Sequence, residues 1–273
     1  MVPSDATLPP RAYTPPTLLQ TLGELRAFGE IGCFYGTRPL LKRLAPRGDG
    51  HPVMVLPGFM ASDALTAAMR DFLVGLGYEV HAWELGRNPG LRHDLCCKLE
   101  ERIAAIRNRT RRRVTLVGWS LGGLYARVIA HRQSDSIRQI ITLGSPFNFS
   151  VAQTDSISGP AARLYQLLNP GHAEDPLSGS GLTERSPPVP STSIFSQRDG
   201  IAPWRCCIDQ CDEKTENIRV PGSHCGMTHN PFILHVVAER LAQREHAWKP
   251  FRASWASRLL FRPMCAQSAL AAT

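Results

Sequence analysis

Residues 114–126 hold the side chain best placed to do chemistry, Ser120. They read VTLVGWSLGGLYA, so Ser120 stands in a Gly118-x-Ser120-x-Gly122 pattern between an apolar run and a helical pattern. In such a strand–turn–helix the serine hydroxyl is held above the carboxyl edge of a sheet, where it can act as a nucleophile. A side chain at Gly118 or Gly122 would collide with the neighbouring strand or helix. The alternative interpretation is an ordinary turn with a structural serine.

A serine hydroxyl needs a base to remove its proton and a carboxylate to orient that base. In this strand–turn–helix arrangement the chain order is serine, acid, histidine. Asp199 follows Ser120 and stands just after a predicted strand, in the loop QRDGIAP, so it is the preferred acid. The alternative for Asp199 is an ordinary turn aspartate. Weaker candidates for the acid are Asp155, Asp175, Asp209 and Asp212.

The preferred base is His224, which lies in the loop PGSHCGM directly after the last predicted strand. Because the carboxyl ends of parallel strands meet at one sheet edge, this loop is expected to bring His224 to Ser120 and Asp199. His229 is the alternative, five residues later and just before the final predicted helix. The pattern therefore predicts that Ser120, Asp199 and His224 act together.

Negative charge that develops on a substrate oxygen requires fixed backbone N–H donors. One donor is expected from Leu121, directly after the serine and at the start of a helix. The second is expected from the loop after the first strand, where Gly58 allows a close approach. Phe59 is the preferred donor in that loop, and Met60 is the alternative.

Apolar periodicity predicts strands that alternate with helices. Strands are predicted at 53–56, 78–83, 114–118, 137–143, 193–196 and 217–220. Helices are predicted at 63–76, 93–109, 121–132, 161–168 and 231–244. Because alternation of this kind requires crossover connections, the fold class is α/β, with a mostly parallel central sheet of about six strands flanked by helices and a cap insertion.

The domain organisation follows from shifts in composition along the chain. Residues 1–49 are expected to form an N-terminal extension, partly a loose proline-rich arm and partly one or two short helices. Residues 50–245 form the α/β domain, and residues 150–192, rich in Ser, Gly and Pro, form its cap or lid. Residues 246–273 form a C-terminal tail, either a short helix or a loose segment.

Composition and charge exclude several classes of protein. With 273 residues, 43% of them hydrophobic, the chain can bury a large core and is not wholly disordered. The net charge of +8 and the arginine-rich run at 107–113 permit a nucleic-acid partner, but no nucleic-acid motif accompanies them, so none is expected. No apolar run is long enough to span a membrane, and the first residues do not read as a signal peptide. We therefore expect a cytoplasmic protein without stable membrane insertion.

The eight cysteines do not form a metal pattern. There is no CxxC pair and no second cluster at zinc spacing, so neither a metal nor a cofactor is expected. Buried or half-buried thiols are the preferred interpretation. A disulfide from the segment holding Cys206, Cys207 and Cys211 to Cys225 is left open.

Three motifs together resemble the α/β-hydrolase superfamily, in its lipase and esterase branch. Gly118-Trp119-Ser120-Leu121-Gly122-Gly123 is similar to the nucleophile elbow of that family. TLGSP at 142–146 resembles the segment after the next strand in triacylglycerol lipases, and SHCG at 223–226 with HNP at 229–231 resembles their catalytic-histidine loop. The resemblance covers about residues 50–245. It departs from the family where Pro57-Gly58-Phe59 replaces the commoner His-Gly pair.

The resemblance implies a serine hydrolase that cleaves a small-molecule or lipid carboxylic ester through an acyl-enzyme. Residues 150–192 would then cover the site and set the acyl preference. Two alternatives remain open. One is an acyltransferase or thioesterase with the same three residues, and the other is a non-catalytic binding protein on the same scaffold.

Overall fold

Seven short strands form a single sheet in the computed structural model, which describes residues 16–148, 167, 177, 180–252 and 261–264. The strands are β1 (Pro52–Leu56), β2 (Glu79–His81), β3 (Val114–Trp119), β4 (Ile137–Leu143), β5 (Ser191–Phe195), β6 (Thr215–Arg219) and β7 (Arg262–Met264). Every residue of β1, β3, β4 and β5 is buried, as expected for strands covered on both faces.

The strand order across the sheet is β2-β1-β3-β4-β5-β6-β7, and every pair except β6–β7 is parallel. The predicted α/β class with a mostly parallel sheet is confirmed. The sheet has seven strands rather than six, because residues Arg262–Met264 of the C-terminal tail form an antiparallel edge strand. Pro263 lies in β7, where a residue without an N–H is tolerated because one side of an edge strand makes no ladder bonds.

Within the described ranges, six α-helices accompany the sheet. They are α1 (Leu18–Leu22), α2 (Ala27–Leu44), α3 (Asp63–Leu76), α4 (His93–Thr110), α5 (Leu121–Arg132) and α6 (Pro231–Leu241). Buried side chains of α3 and α6 share one core cluster, and those of α4 and α5 share another, so the helices cover both faces of the sheet. The predicted helix at 161–168 and most of the predicted cap at 150–192 lie outside the described residues.

Helix α2 forms an additional layer outside α3 and α6, both of which it contacts. Its inward stripe contains Ala27, Phe34 and Leu41, seven residues apart, and all three are buried. The ring of Phe34 packs edge-on against Phe72 of α3, with ring centroids 6.4 Å apart. A short 3₁₀ turn (Gly23–Arg26) joins α1 to α2, so the N-terminal extension is helical from residue 18 onward.

The arginine-rich run at 107–113 ends α4 and leads into β3. Its side chains bind neighbouring groups of the same chain: Arg109 pairs with Glu79, Arg112 with Asp49 at 2.7 Å, and Arg113 with Glu245. The run therefore acts as a set of surface ion pairs around the amino ends of the strands. Among the helices in the described ranges, none combines the length and apolar character needed to cross a bilayer.

Two phenylalanines on α2 provide a matched test of this outer layer. Phe34 is fully buried, whereas Phe28 is 75% exposed. Truncation of Phe34 to Ala is expected to lower the free energy of unfolding by about 3–5 kcal/mol, because it opens a cavity between α2 and α3. Phe28→Ala is expected to change it by less than about 0.5 kcal/mol. Chemical denaturation of both variants makes the comparison, and equal losses would contradict the packing of α2.

Candidate active site

Ser120 stands at the turn between β3 and α5 in a strained backbone conformation, with φ 53° and ψ −120°. A non-glycine residue rarely adopts a positive φ, and such strain is concentrated at functional turns. The two flanking glycines make the turn possible. A Cβ at Gly118 would lie 2.4 Å from the backbone of Gly122, and a Cβ at Gly122 would lie 2.3 Å from the carbonyl oxygen of Leu56. The elbow thus packs directly on its own helix and on the end of β1.

The loop after β1 lies against the serine. A Cβ added at Gly58 would lie 3.2 Å from the Cβ of Ser120, so only glycine allows this approach without displacement. Phe59 follows in the loop and packs on the core cluster beneath α5. The N–H of Met60 donates to the carbonyl oxygen of Asn88 at 2.7 Å and is therefore already used. Leu121 is the first residue of α5, where an N–H has no acceptor within the helix.

His224 lies between Ser120 and Asp199. Its Nε2 is 2.9 Å from the Oγ of Ser120, and its Nδ1 is 2.7 Å from the Oδ2 of Asp199. The side chains of His224 and Asp199 are 5% and 1% exposed, so the contact between them is buried, whereas the contact with the Oγ of Ser120 is partly buried. Three residues from the ends of three different strands thus meet at the carboxyl edge of the sheet.

The second carboxylate oxygen of Asp199 is also bound. Its Oδ1 accepts the N–H groups of Ile201 at 2.9 Å and Ala202 at 2.7 Å. These bonds fix the carboxylate, so that Oδ2 points at the imidazole. A buried carboxylate is tolerated when its oxygens are bound in this way.

The alternative residues are engaged elsewhere. The Nδ1 of His229 lies 2.9 Å from the Oγ1 of Thr228, and its ring packs on Phe34. Asp209 forms a buried ion pair with Arg127 at 2.6 Å. Asp212 accepts an N–H in an exposed turn. The remaining alternatives, Asp155 and Asp175, lie outside the described residues.

One residue that the sequence analysis did not single out, Glu24, bridges the two loops that carry Asp199 and His224. Its Oε1 accepts the N–H of Gly200 at 2.8 Å and the N–H of His224 at 3.0 Å. Its Oε2 accepts the N–H of Cys225 at 2.8 Å. A single carboxylate from the N-terminal extension therefore fixes the spacing between the loop after β5 and the loop after β6.

Two further side chains hold the His224 loop. Glu30 of α2 accepts the N–H of Ser223 at 2.8 Å and its hydroxyl at 3.0 Å. From the other side, the indole N–H of Trp119 donates to the carbonyl oxygen of His224 at 3.1 Å. The sequence carries one signal for the two glutamates, which are the only acidic residues between 17 and 47. Arg26 lies four residues before Glu30 and pairs with it.

The charged groups around His224 shift the pKa of its imidazole. Burial alone would lower the pKa of the imidazole, but the charge of Asp199, its hydrogen bond and the charge of Glu24 outweigh burial and raise the pKa above the ordinary 6.5. Burial would likewise raise the pKa of Glu24. Its three backbone N–H donors instead hold this pKa below the ordinary 4.5, so Glu24 is ionised at neutral pH.

The described cysteines, histidines and carboxylates form neither a metal site nor the disulfide that the sequence left open. No group of three His, Cys, Asp or Glu side chains suited to a metal ion occurs within the described ranges. In that same part of the chain Cys206, Cys207 and Cys225 are thiols, so the disulfide left open by the sequence does not form. Burial raises the pKa of Cys225 to about 12, with further contributions from Glu24 and Asp199, so this thiol stays protonated and is a poor nucleophile.

Comparisons with known proteins agree with this architecture. The family model of the PGAP1-like alpha/beta domain matches residues 94–175, which is less than half of the chain. A comparison with curated proteins found no match.

Two solved structures are similar in fold. Lipase B of Aspergillus fumigatus matches with a TM-score of 0.52 and 15% identity over 71% of this chain and 53% of that chain. The match thus spans about half the length of that lipase. A thioesterase domain from the curacin biosynthetic pathway matches with a TM-score of 0.51 and 12% identity, over 72% of this chain and 93% of that domain. Together with the sheet order and the strained turn at Ser120, these matches show that the chain has the α/β-hydrolase fold.

Proposed function

We propose that the protein is a serine hydrolase that cleaves carboxylic esters through an acyl-enzyme. The observation that carries the proposal is the pair of contacts made by His224, one to the Oγ of Ser120 and one to Asp199. A hydroxyl, an imidazole and a carboxylate in this sequence of bonds form the arrangement that activates serine in acyl transfer. The strained elbow and the likeness to a lipase fold support the same conclusion.

In the first half of the reaction, the Oγ of Ser120 attacks the ester carbonyl carbon while the Nε2 of His224 takes the hydroxyl proton. Asp199 holds the ring in the tautomer with its proton on Nδ1 and stabilises the imidazolium that forms. The carbon–oxygen bond of the ester then breaks. The leaving alcohol takes the proton from Nε2, and the acyl group stays on Ser120.

In the second half, water attacks the acyl carbon while the Nε2 of His224 takes a proton from the water. The bond between the acyl carbon and the Oγ of Ser120 then breaks, Oγ takes the proton back from Nε2, and the carboxylic acid leaves. In both halves the carbonyl oxygen gains negative charge. The backbone N–H groups of Phe59 and Leu121 are proposed to bind this oxygen. The N–H of Met60, the alternative donor in the loop after β1, already donates to the carbonyl oxygen of Asn88. Each such donor stabilises the transition state by about 2.7–4 kcal/mol.

An acyltransferase or thioesterase is the second candidate, because the same acyl-enzyme can pass its acyl group to another acceptor or be formed from a thioester. The fold likeness to a thioesterase domain gives this candidate its support. Short-chain oxygen esters and thioesters assayed in parallel, with and without an added alcohol, separate the three outcomes. Hydrolase activity yields free acid at a rate that the alcohol leaves unchanged.

The proposal predicts that Ser120→Ala lowers the turnover of short p-nitrophenyl esters by at least about 10⁴-fold, because it removes the hydroxyl that the Nε2 of His224 contacts. A fluorophosphonate probe should label the parent protein at Ser120 and leave this variant unlabelled. Spectrophotometric assays and mass spectrometry of the labelled peptide provide the measurement.

Ser134→Ala is the matched control, since Ser134 lies before β4 at the opposite edge of the sheet. It should keep full turnover and full labelling. Turnover that survives in Ser120→Ala, or a parent protein that the probe does not label, would refute the mechanism. The second result would favour a non-catalytic binding protein.

A second prediction concerns pH. His224 must be neutral to accept the proton, and its pKa is raised, so kcat/KM should increase with pH through a midpoint above 6.5. Glu24→Gln removes a nearby negative charge that favours the imidazolium. We therefore expect the midpoint to move to lower pH, and the plateau to fall by about tenfold because one loop donor loses its acceptor.

Glu101→Gln serves as the control, because Glu101 is an exposed residue of α4 on the other face of the sheet. Its pH profile should match that of the parent protein. A purely structural role for Glu24 would lower the plateau and leave the midpoint in place, so an unmoved midpoint counts against the electrostatic part of its role.

A further inference from the structure

The outward side of the N-terminal helices is apolar over its whole length. Eight large apolar side chains between residues 18 and 44 are each 56–80% exposed. They are Leu18, Leu19, Leu22, Leu25, Phe28, Tyr35, Leu40 and Leu44. From residue 18 to residue 40, a stretch the structure describes completely, no charged side chain is exposed. We call these eight side chains the outer apolar face.

This face reverses the usual arrangement of a surface helix, which turns its apolar side to the core and its charges to water. Glu24 and Glu30, the acidic residues of the segment, point inward and bind backbone groups of the His224 loop. The inward stripe with Phe34 is apolar as well. A helix with apolar residues on both sides is normally covered on both sides, and an exposed patch of this kind marks an interaction surface.

The border of the face is basic. Arg43 in the last turn of α2 and Arg47 just after it are exposed, and Arg38 and Lys42 beside them are half-buried. No acidic side chain is exposed between residues 17 and 47, all of which are described. Two copies of this surface would bring like charges together, whereas anionic lipid headgroups would neutralise them. The charge pattern therefore favours a lipid surface over a second copy of the chain.

The face adjoins the candidate active site. The hydroxyl of Thr21 in α1 donates to the carbonyl oxygen of Gly200 at 3.0 Å, and Arg26 in the following turn donates to the carbonyl oxygens of Arg198 and Gly222. The outer apolar face thus starts directly over the loops that carry Asp199 and His224. A surface that it contacts would lie next to the carboxyl edge of the sheet.

We propose that the outer apolar face docks on the surface of an anionic lipid bilayer. The helices lie in the plane of the interface, with their leucines and phenylalanine among the upper acyl chains and the basic border at the headgroups. This docking is peripheral and does not span the bilayer. It rests on residues outside the Ser120 site, so it stands or falls separately from ester hydrolysis.

The test uses full-length Ser120→Ala protein, in which docking is measured without turnover. In a flotation assay, the protein should float with vesicles of phosphatidylcholine that contain about 30% phosphatidylglycerol. A much smaller fraction of the protein should float with vesicles of phosphatidylcholine alone. The combined variant Leu22→Gln, Leu25→Gln and Phe28→Gln should partition into the anionic vesicles at least tenfold more weakly.

Single substitutions of basic residues test the electrostatic contribution to vesicle binding and disturb the fold less than the triple variant does. Arg43→Gln should weaken binding to the anionic vesicles roughly fivefold, in keeping with the contribution of one basic residue near an anionic surface. Lys98→Gln, which removes an exposed charge from α4 on the other face of the sheet, should leave it unchanged. The triple variant should keep the far-UV circular dichroism spectrum and the cooperative unfolding of the parent, which shows without any assay of ester hydrolysis that its fold is intact.

Three results would overturn the proposal. One is parent protein that does not float with anionic vesicles, and another is a folded triple variant that floats as well as the parent. The third is light scattering that finds a two-copy particle which the triple variant converts to one copy, because a second chain would then cover the face. If the triple variant does not fold, equal binding by Arg43→Gln and Lys98→Gln counts against docking.

Discussion

A buried imidazole is stable only when both of its ring nitrogens have partners, and the arrangement around Ser120 depends on this requirement. Asp199 supplies one partner and the serine hydroxyl the other. The loop that carries His224 is then held on both sides, by Trp119 from the elbow and by Glu24 from the N-terminal helices. The position of one side chain thus links three strand ends with a segment far away in sequence.

Sequence reasoning predicted the parts of this arrangement that depend on local pattern. The elbow could be recognised because the close contacts at Gly118 and Gly122 exclude any larger residue, and because an apolar run precedes it. The bounds of α3 and α5 agree with the predicted ones, since their ends carry clear helix stop signals or glycines. The roles of Ser120, Asp199 and His224 remain predictions that their mutual distances support.

Other parts could not be predicted, because their partners are distant and irregular. Glu24 binds backbone N–H groups about two hundred residues away. Almost every residue has a backbone N–H, so the residue types in the sequence do not indicate which N–H groups Glu24 binds. Strand β7 has only three residues, one of them Pro263, so no alternation could reveal it. Asp209 was a candidate for the catalytic acid because it is an aspartate after Ser120 in the chain. In the structure its carboxylate instead pairs with the buried guanidinium of Arg127.

The hydrogen bonds of Glu24 and Glu30 also indicate which N-terminal residues the loops of Asp199 and His224 depend on. Composition places a boundary near residue 49, before the first strand of the sheet. A chain shortened to start there would keep Ser120, Asp199 and His224, but it would lose the acceptors of four N–H groups and one hydroxyl in the two loops. A fragment that keeps these two loops in their observed arrangement therefore has to reach back past the sheet to the 3₁₀ turn that carries Glu24.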